Sequence, residues 1–152
     1  VPRFYFDYKR YRDSQSKGET PWTPAVSIYF QLDVALQMME REGLPAILAR
    51  HQRTADRVRA GVKALGLDLF AADERFASNT VTAVRVPEGV EGPAINKTMR
   101  EQFGVVVAGG QTKLKGKIFR IGHLGWVTDA DIDETLAALK KTLAIVKPAG
   151  VR

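Results

Sequence analysis

Four kinds of residue in this chain could do chemistry, and Arg120 leads them. It stands in Lys117-Ile118-Phe119-Arg120-Ile121-Gly122-His123-Leu124-Gly125, one permanent cation inside an apolar, strand-like run. A guanidinium in that setting must be solvated, paired, or held ready for an anion, because burying it unpaired costs several kcal/mol. Its planar fork can grip a carboxylate through two parallel hydrogen bonds, and glycines nearby let a ligand approach. A structural ion pair with one of the 17 acidic residues is the competing expectation. Gly109-Gly110-Gln111, a turn after a strand, offers backbone and amide donors to a ligand. Thr23 reads as a helix N-cap with Pro24 at the first helical position, and such a helix start binds anions through its free N–H groups. Simple capping explains the same pattern.

The histidines read as structural. His51 falls on the apolar stripe of a helix and is expected to be a hydrogen-bonded core residue. His123 lies three positions beyond Arg120, so alternation along a strand turns it to the opposite face. Two histidines so far apart give no metal-binding spacing, and no Ser-His-Asp or Gly-x-Ser-x-Gly arrangement occurs. The chain has no cysteine, which removes disulfides, thiolate metal ligands and a thiol nucleophile.

Several elements must position these residues. A short polar helix or turn near Asp7 to Ser14 leads into a proline-punctuated loop from Ser16 to Pro24. A helix then runs through Ile28, Leu32, Ala35, Leu36 and Met39 to Gly43; apolar on several faces, it is expected to be buried or at an interface. A second helix, Leu44 to Leu65, carries a stripe of Leu44, Ile47, Leu48, His51, Ala55, Val58, Val62 and Leu65, with Arg50, Arg53, Arg57 and Arg59 on its wet face. Gly66 ends it. Strand-like segments follow at Leu67 to Ala71 and Thr80 to Val86, then a helix from Pro93 to Phe103 stopped by Gly104. Val105-Val106-Val107 and Lys117 to Leu124 read as strands. Thr128 caps the last helix, with Asp129, Asp131 and Asp133 in its first turns, the stripe Ile132, Leu136, Leu139, Leu143 and Val146, and a stop at Pro148. Helices gathered over neighbouring short strands predict a two-layer α+β domain with a small, mainly antiparallel sheet.

Composition bounds the partners. The net charge of +6 raises nucleic acid, but the cations are spread over helix faces and Lys140, Lys141 and Lys147 sit where they complement a helix end. No RNA-binding or zinc motif accompanies them, so neither nucleic acid nor membrane is expected as a partner. No apolar run approaches the roughly 18 residues needed to span a bilayer, and no leader peptide is visible, which fits a cytoplasmic protein. The start at Val1 reads as the middle of a longer protein.

Together, Thr20-Pro21-Trp22-Thr23-Pro24-Ala25-Val26-Ser27, Gly43-Leu44 with His51 downstream, Gly109-Gly110 and Phe119-Arg120-Ile121-Gly122-His123-Leu124-Gly125 resemble the C-terminal small domain of class V pyridoxal-phosphate-dependent aminotransferases. The alanine–glyoxylate and serine–glyoxylate (serine–pyruvate) branch is the most similar. The resemblance implies that residues 1–152 form one such domain, with 1–24 the linker or helix to a large domain that carries the Schiff-base lysine. It implies that Arg120 holds the substrate's α-carboxylate, and that Thr23, and Thr20 at a position where some members carry a tyrosine, reach the cofactor phosphate of the partner subunit in a homodimer. The helix after Thr23 would lie near the dimer interface. Small amino acids and 2-oxo acids would be the substrates and pyridoxal 5'-phosphate the cofactor. No lysine here has the catalytic context, so no catalytic residue is assigned and the fragment alone is expected to be inactive. A pyridoxal-phosphate lyase of the same fold is the alternative, although a desulfurase of this kind commonly needs a cysteine. A free-standing anion-binding α+β module is the reading from a different class.

Overall fold

The computed structural model describes residues 3–146. The Val1 start, Lys147 and the Pro148 stop lie outside them. The chain divides into two compact units, Val1–Leu44 and Pro45–Arg152, each taken by itself below.

The first unit holds α1 (Tyr8–Gln15) and α2 (Val26–Glu42). Asp7 caps α1 by accepting from the N–H groups of Lys9 and Arg10. Trp22 gathers Phe4, Tyr5 and Tyr11 around it, with ring centroids 5.1, 5.2 and 5.3 Å away. Such spacings suit tilted and edge-on aromatic packing. One expectation fails here. The helix does not begin at Thr23-Pro24: Ala25 is the N-cap, without a side-chain cap bond, and the first residue of α2 is Val26. The cause is local, since the Val26 N–H turns back to the Pro24 carbonyl at 2.9 Å and so closes a tight turn about Ala25 before the helix can start. Of the two settings expected for α2, burial or an interface, burial within this chain is not found: none of its residues is buried, and Ile28, Phe30 and Leu36 are exposed.

The second unit is an α+β layer pair. Its helices are α3 (Leu44–Ala64), α4 (Gly92–Phe103) and α5 (Asp129–Val146). Its strands are β1 (Val81–Arg85), β2 (Ala108–Gly109) and β3 (Ile118–Gly122), hydrogen-bonded antiparallel in the order β1-β3-β2. Thr82 and Val84 from β1 and Phe119 and Ile121 from β3 share one sheet face. That face meets Val58 and Val62 of α3, Ile95 and Met99 of α4, and Ile132, Leu139 and Leu143 of α5 in one buried cluster. The later part of the stripe expected for α3 and most of that expected for α5 therefore enter the core, whereas Leu44 and Leu48 at the start of the α3 stripe are exposed.

The ends of α4 and α5 follow their sequence signals. Gly104 terminates α4 in the left-handed conformation (φ 68°), and the Val105 N–H returns to the Met99 carbonyl at 3.1 Å, a Schellman-type closure. Thr128 and Asp131 exchange cap bonds: Asp131 N–H donates to Thr128 Oγ1, and Asp131 Oδ2 accepts from the Thr128 N–H at 2.8 Å. The Thr128 hydroxyl, donating to Asp131 Oδ2 at 2.6 Å, and then the Thr128 N–H hold the Asp131 carboxyl below its ordinary pKa.

Three further expectations are corrected. Val105-Val106-Val107 is not a strand; the Schellman closure claims Val105, and pairing to β3 begins only at Ala108. Leu67 to Ala71 is not a full strand either. It lies along β1 through one bridge, Leu69 to Val84, and two hydrogen bonds, Phe70 N–H to Ala83 O and Arg85 N–H to Asp68 O. Arg59 does not belong to a wet face. It is buried, with a 2.6 Å bond to Asp56, a 3.2 Å bond to Ser78 O and Glu74 at 3.9 Å. A buried guanidinium needs such partners.

Candidate functional site

Arg120 sits in the middle of β3, paired with Ala83 of β1 on one side and Ala108 of β2 on the other. Alternation turns Phe119 and Ile121 into the core, so Arg120 points to the opposite, open face of the sheet. There it lines a cleft of about 410 Å³ with Val81, Arg100, Val106, Val107, Ala108 and Gly122. The side chain is half-buried, and its Nε donates to the Gly109 carbonyl at 3.1 Å. Among the described residues no carboxylate pairs with it and neither Nη has a hydrogen-bond partner. The structural ion pair is thus absent from the described residues, and the forked Nη edge is left to meet an anion.

The glycine pair acts differently from the expectation. Gly109 contributes its carbonyl to Arg120, as an acceptor, and the Gly110 N–H is already given to the Ile118 carbonyl at 3.0 Å. Gly110 is glycine because a Cβ there would stand 2.0 Å from the Leu114 carbonyl oxygen. So the turn holds the arginine rather than presenting donors to a ligand. Gln111 is exposed.

Arg100 is the residue that sequence reasoning missed. It projects from α4 into the same cleft, yet in the sequence it reads only as a cation in the last turn of a helix.

Neither histidine joins the cleft. His51 is half-buried, with Nδ1 2.8 Å from the Ile47 carbonyl one turn earlier. His123 is buried on the core side, as alternation predicts. Its Nε2 lies 2.9 Å from Thr82 Oγ1, while Nδ1 is buried without a partner. Burial pushes its pKa below the ordinary 6.5, and the nearby Arg59 cation adds to that effect. The imidazole is held neutral, as a packing residue.

Thr20 and Thr23 belong to the first unit and Arg120 to the second. Thr20 Oγ1 donates to the Trp22 carbonyl at 2.7 Å. Thr23 is exposed, and its hydroxyl has no partner among the described residues. Every described lysine is exposed as well, so none has the desolvated setting that makes an amine nucleophilic at neutral pH. No group of three or more His, Asp or Glu among the described residues could hold a metal ion. No helix there is long and apolar enough to cross a membrane.

No protein-family model matches the chain. It is 38% identical, over 93% of its length, to serine–glyoxylate aminotransferase of Hyphomicrobium methylovorum, covering 35% of that protein. Its structure superposes on pyridoxamine–pyruvate aminotransferase of Mesorhizobium loti with a TM-score of 0.79 and 42% identity, over 82% of this chain and 32% of that one. The chain belongs to the class V aminotransferase family. Within that family it corresponds to the C-terminal part, and it spans about a third of the length of these relatives.

Two similar proteins carry a different kind of name. The small subunit of a soluble hydrogenase from Synechococcus sp. is 50% identical over 95% of this chain and 37% of its own length, and the 42 kDa subunit of a soluble hydrogenase from Anabaena cylindrica is 46% identical over 94% and 37%. Iron–sulfur clusters are held chiefly by cysteine thiolates, and this chain contains no cysteine, so it supplies no thiolate ligand itself.

Proposed function

We propose that this region is the substrate-carboxylate side of a pyridoxal-phosphate-dependent transaminase and works within a longer, homodimeric polypeptide. The substrates are small amino acids such as alanine or serine, with glyoxylate or another 2-oxo acid as acceptor. The observation that carries the proposal is the state of Arg120. It is anchored through Nε, its Nη groups have no partner among the described residues, and its cleft is walled mainly by valine, alanine and glycine, with Arg100 as a second cation. A largely apolar cleft into which guanidinium donors converge suits a small carboxylate.

The residues present suit part of what the cofactor needs. The exposed, unpartnered hydroxyl of Thr23 fits a ligand to the cofactor phosphate in the partner subunit. Thr20 fits less well, because its hydroxyl is already given to Trp22. When bound, the cofactor supplies the electron sink for amino transfer. The task of this chain is to bind and orient: Arg120 fixes the carboxylate, and alignment of that kind raises the rate as well as the affinity. The exposed apolar residues of α2 fit a helix covered by the rest of a cytoplasmic dimer.

The test is amino transfer itself. The longer polypeptide, loaded with pyridoxal 5'-phosphate, is given L-alanine or L-serine with glyoxylate, and glycine formation is followed. Glycine appearing in step with loss of the donor supports the proposal. Elimination of the amino group as ammonia, with no transfer to any 2-oxo acid, selects the lyase alternative.

A further inference from the structure

The cleft geometry depends on where one carbonyl stands, that of Gly109. It accepts from Arg120 Nε, and so decides which way the guanidinium fork faces. Yet β2 is only two residues long, with pairs Ala108 to Arg120 and Gly109 to Phe119. So short a strand needs support from outside the sheet. On one side the chain beyond Gly109 is fixed by the close approach of Gly110 to the Leu114 carbonyl. On the other side stands α4, through Asn96. A Cβ placed on Gly109 would lie 3.2 Å from Asn96 Nδ2, tighter than ordinary contact, so the amide is seated against the glycine. Asn96 Oδ1 is buried with no hydrogen-bond partner. Keeping an unsatisfied buried polar atom is costly and calls for a reason.

We infer that Asn96 and Gly109 are a positioning pair for Arg120, which rests on the carboxylate-holding role proposed above. Asn96 sets the end of β2 from the α4 side. Gly109, lacking a Cβ, admits the amide and brings its carbonyl to Nε. The substrate's carboxylate touches neither residue. Their effect passes through the orientation of the guanidinium fork.

The backbone at Gly109 has no positive φ, so alanine is conformationally allowed there and its effect must come from the Asn96 contact. The G109A substitution pushes on the amide, and N96A removes what is pushed. The longer polypeptide, loaded with cofactor, is prepared as wild type, G109A, N96A/G109A, N96Q and R120K. Two quantities are read: the water-exchange rate of the Arg120 Nε–H by NMR with ¹⁵N-arginine, and KM and kcat for the amino donor.

For G109A we expect Nε–H exchange about tenfold faster and KM about tenfold higher, the scale of a weakened bond to a charged group, with kcat lowered as well because alignment is disturbed. N96A/G109A returns both towards wild type. N96Q, which enlarges the amide against an unaltered glycine, reproduces the G109A defect and keeps the test open if G109A folds poorly. Unchanged exchange in both G109A and N96Q, or a G109A defect that N96A leaves in place, overturns the inference. If R120K leaves the donor KM untouched while exchange still follows G109A and its rescue, the pair still positions Arg120 and only the carboxylate role falls.

Discussion

Replacing Arg120 by lysine keeps the charge and removes the fork, so it separates a carboxylate grip from general electrostatic attraction. In the structure Nε is occupied by Gly109, and neither Nη has a partner among the described residues. A carboxylate meeting that edge would accept two parallel charge-assisted bonds. Lysine offers one ammonium on a flexible stem, loses the Gly109 anchor, and cannot make the paired contact. The loss of one such bond is about 1.5–3 kcal/mol, or about 10- to 150-fold in KM for alanine or serine. The assay is saturation of the cofactor absorbance change in the longer polypeptide, run with alanine and with alaninol, whose hydroxymethyl group replaces the carboxylate. Weakened alanine binding with unchanged alaninol binding is the expected pattern. An Arg120→Lys protein that binds alanine within twofold of wild type, or loses both ligands equally, would refute the reasoning.

The remaining predictions concern the frame behind the site. Phe119 is fully buried beside Arg120, so Phe119→Ala should cost about 3–5 kcal/mol, measured by hydrogen exchange of β3 amides; Val81→Ala, on the cleft side and 37% exposed, should cost far less. Thr128→Ala removes one half of the α5 cap exchange and should cost about 1 kcal/mol in denaturant unfolding. His123 should titrate below 6.5 by NMR. Because its folded pKa is depressed, its contribution to stability is present above the unfolded value of 6.5 and is lost as pH falls from there through the folded value. A His123 that titrates at or above 6.5 would contradict its burial as a neutral imidazole.

Much of the second unit could be read from the sequence because each signal there was local and redundant. Gly104 stops α4, Thr128 with Asp131 starts α5, and the stripe of α5 and the later part of that of α3 are found in the core, although Leu44 and Leu48 are exposed. The errors arose where a local rule met a competing bond. Thr23-Pro24 looks like a helix start, but the turn about Ala25 comes first. Three valines look like a strand, but the preceding helix takes the first of them for its cap. Arg59 has the spacing of a solvated face and is instead enclosed by Asp56, Glu74 and Ser78, partners that no periodicity reveals.

At the site, Arg120 was legible because a lone cation in an apolar strand demands an explanation. Arg100 and Asn96 were not. They come from α4, a separate element well before Arg120 in the chain, and only the fold brings them to the site. The role of Gly109 was inverted for a related reason: a glycine doublet announces close approach but not whether its N–H or its carbonyl will be used.

The most direct measurement is a crystal structure of the longer polypeptide with its cofactor and 2-methylalanine, an amino acid that lacks the α-hydrogen. The account predicts the ligand carboxylate on both Nη atoms of Arg120, at about 2.7–2.9 Å, with Nε still on the Gly109 carbonyl. A carboxylate bound by other residues, with the Arg120 fork empty or turned to an acidic side chain, would contradict it.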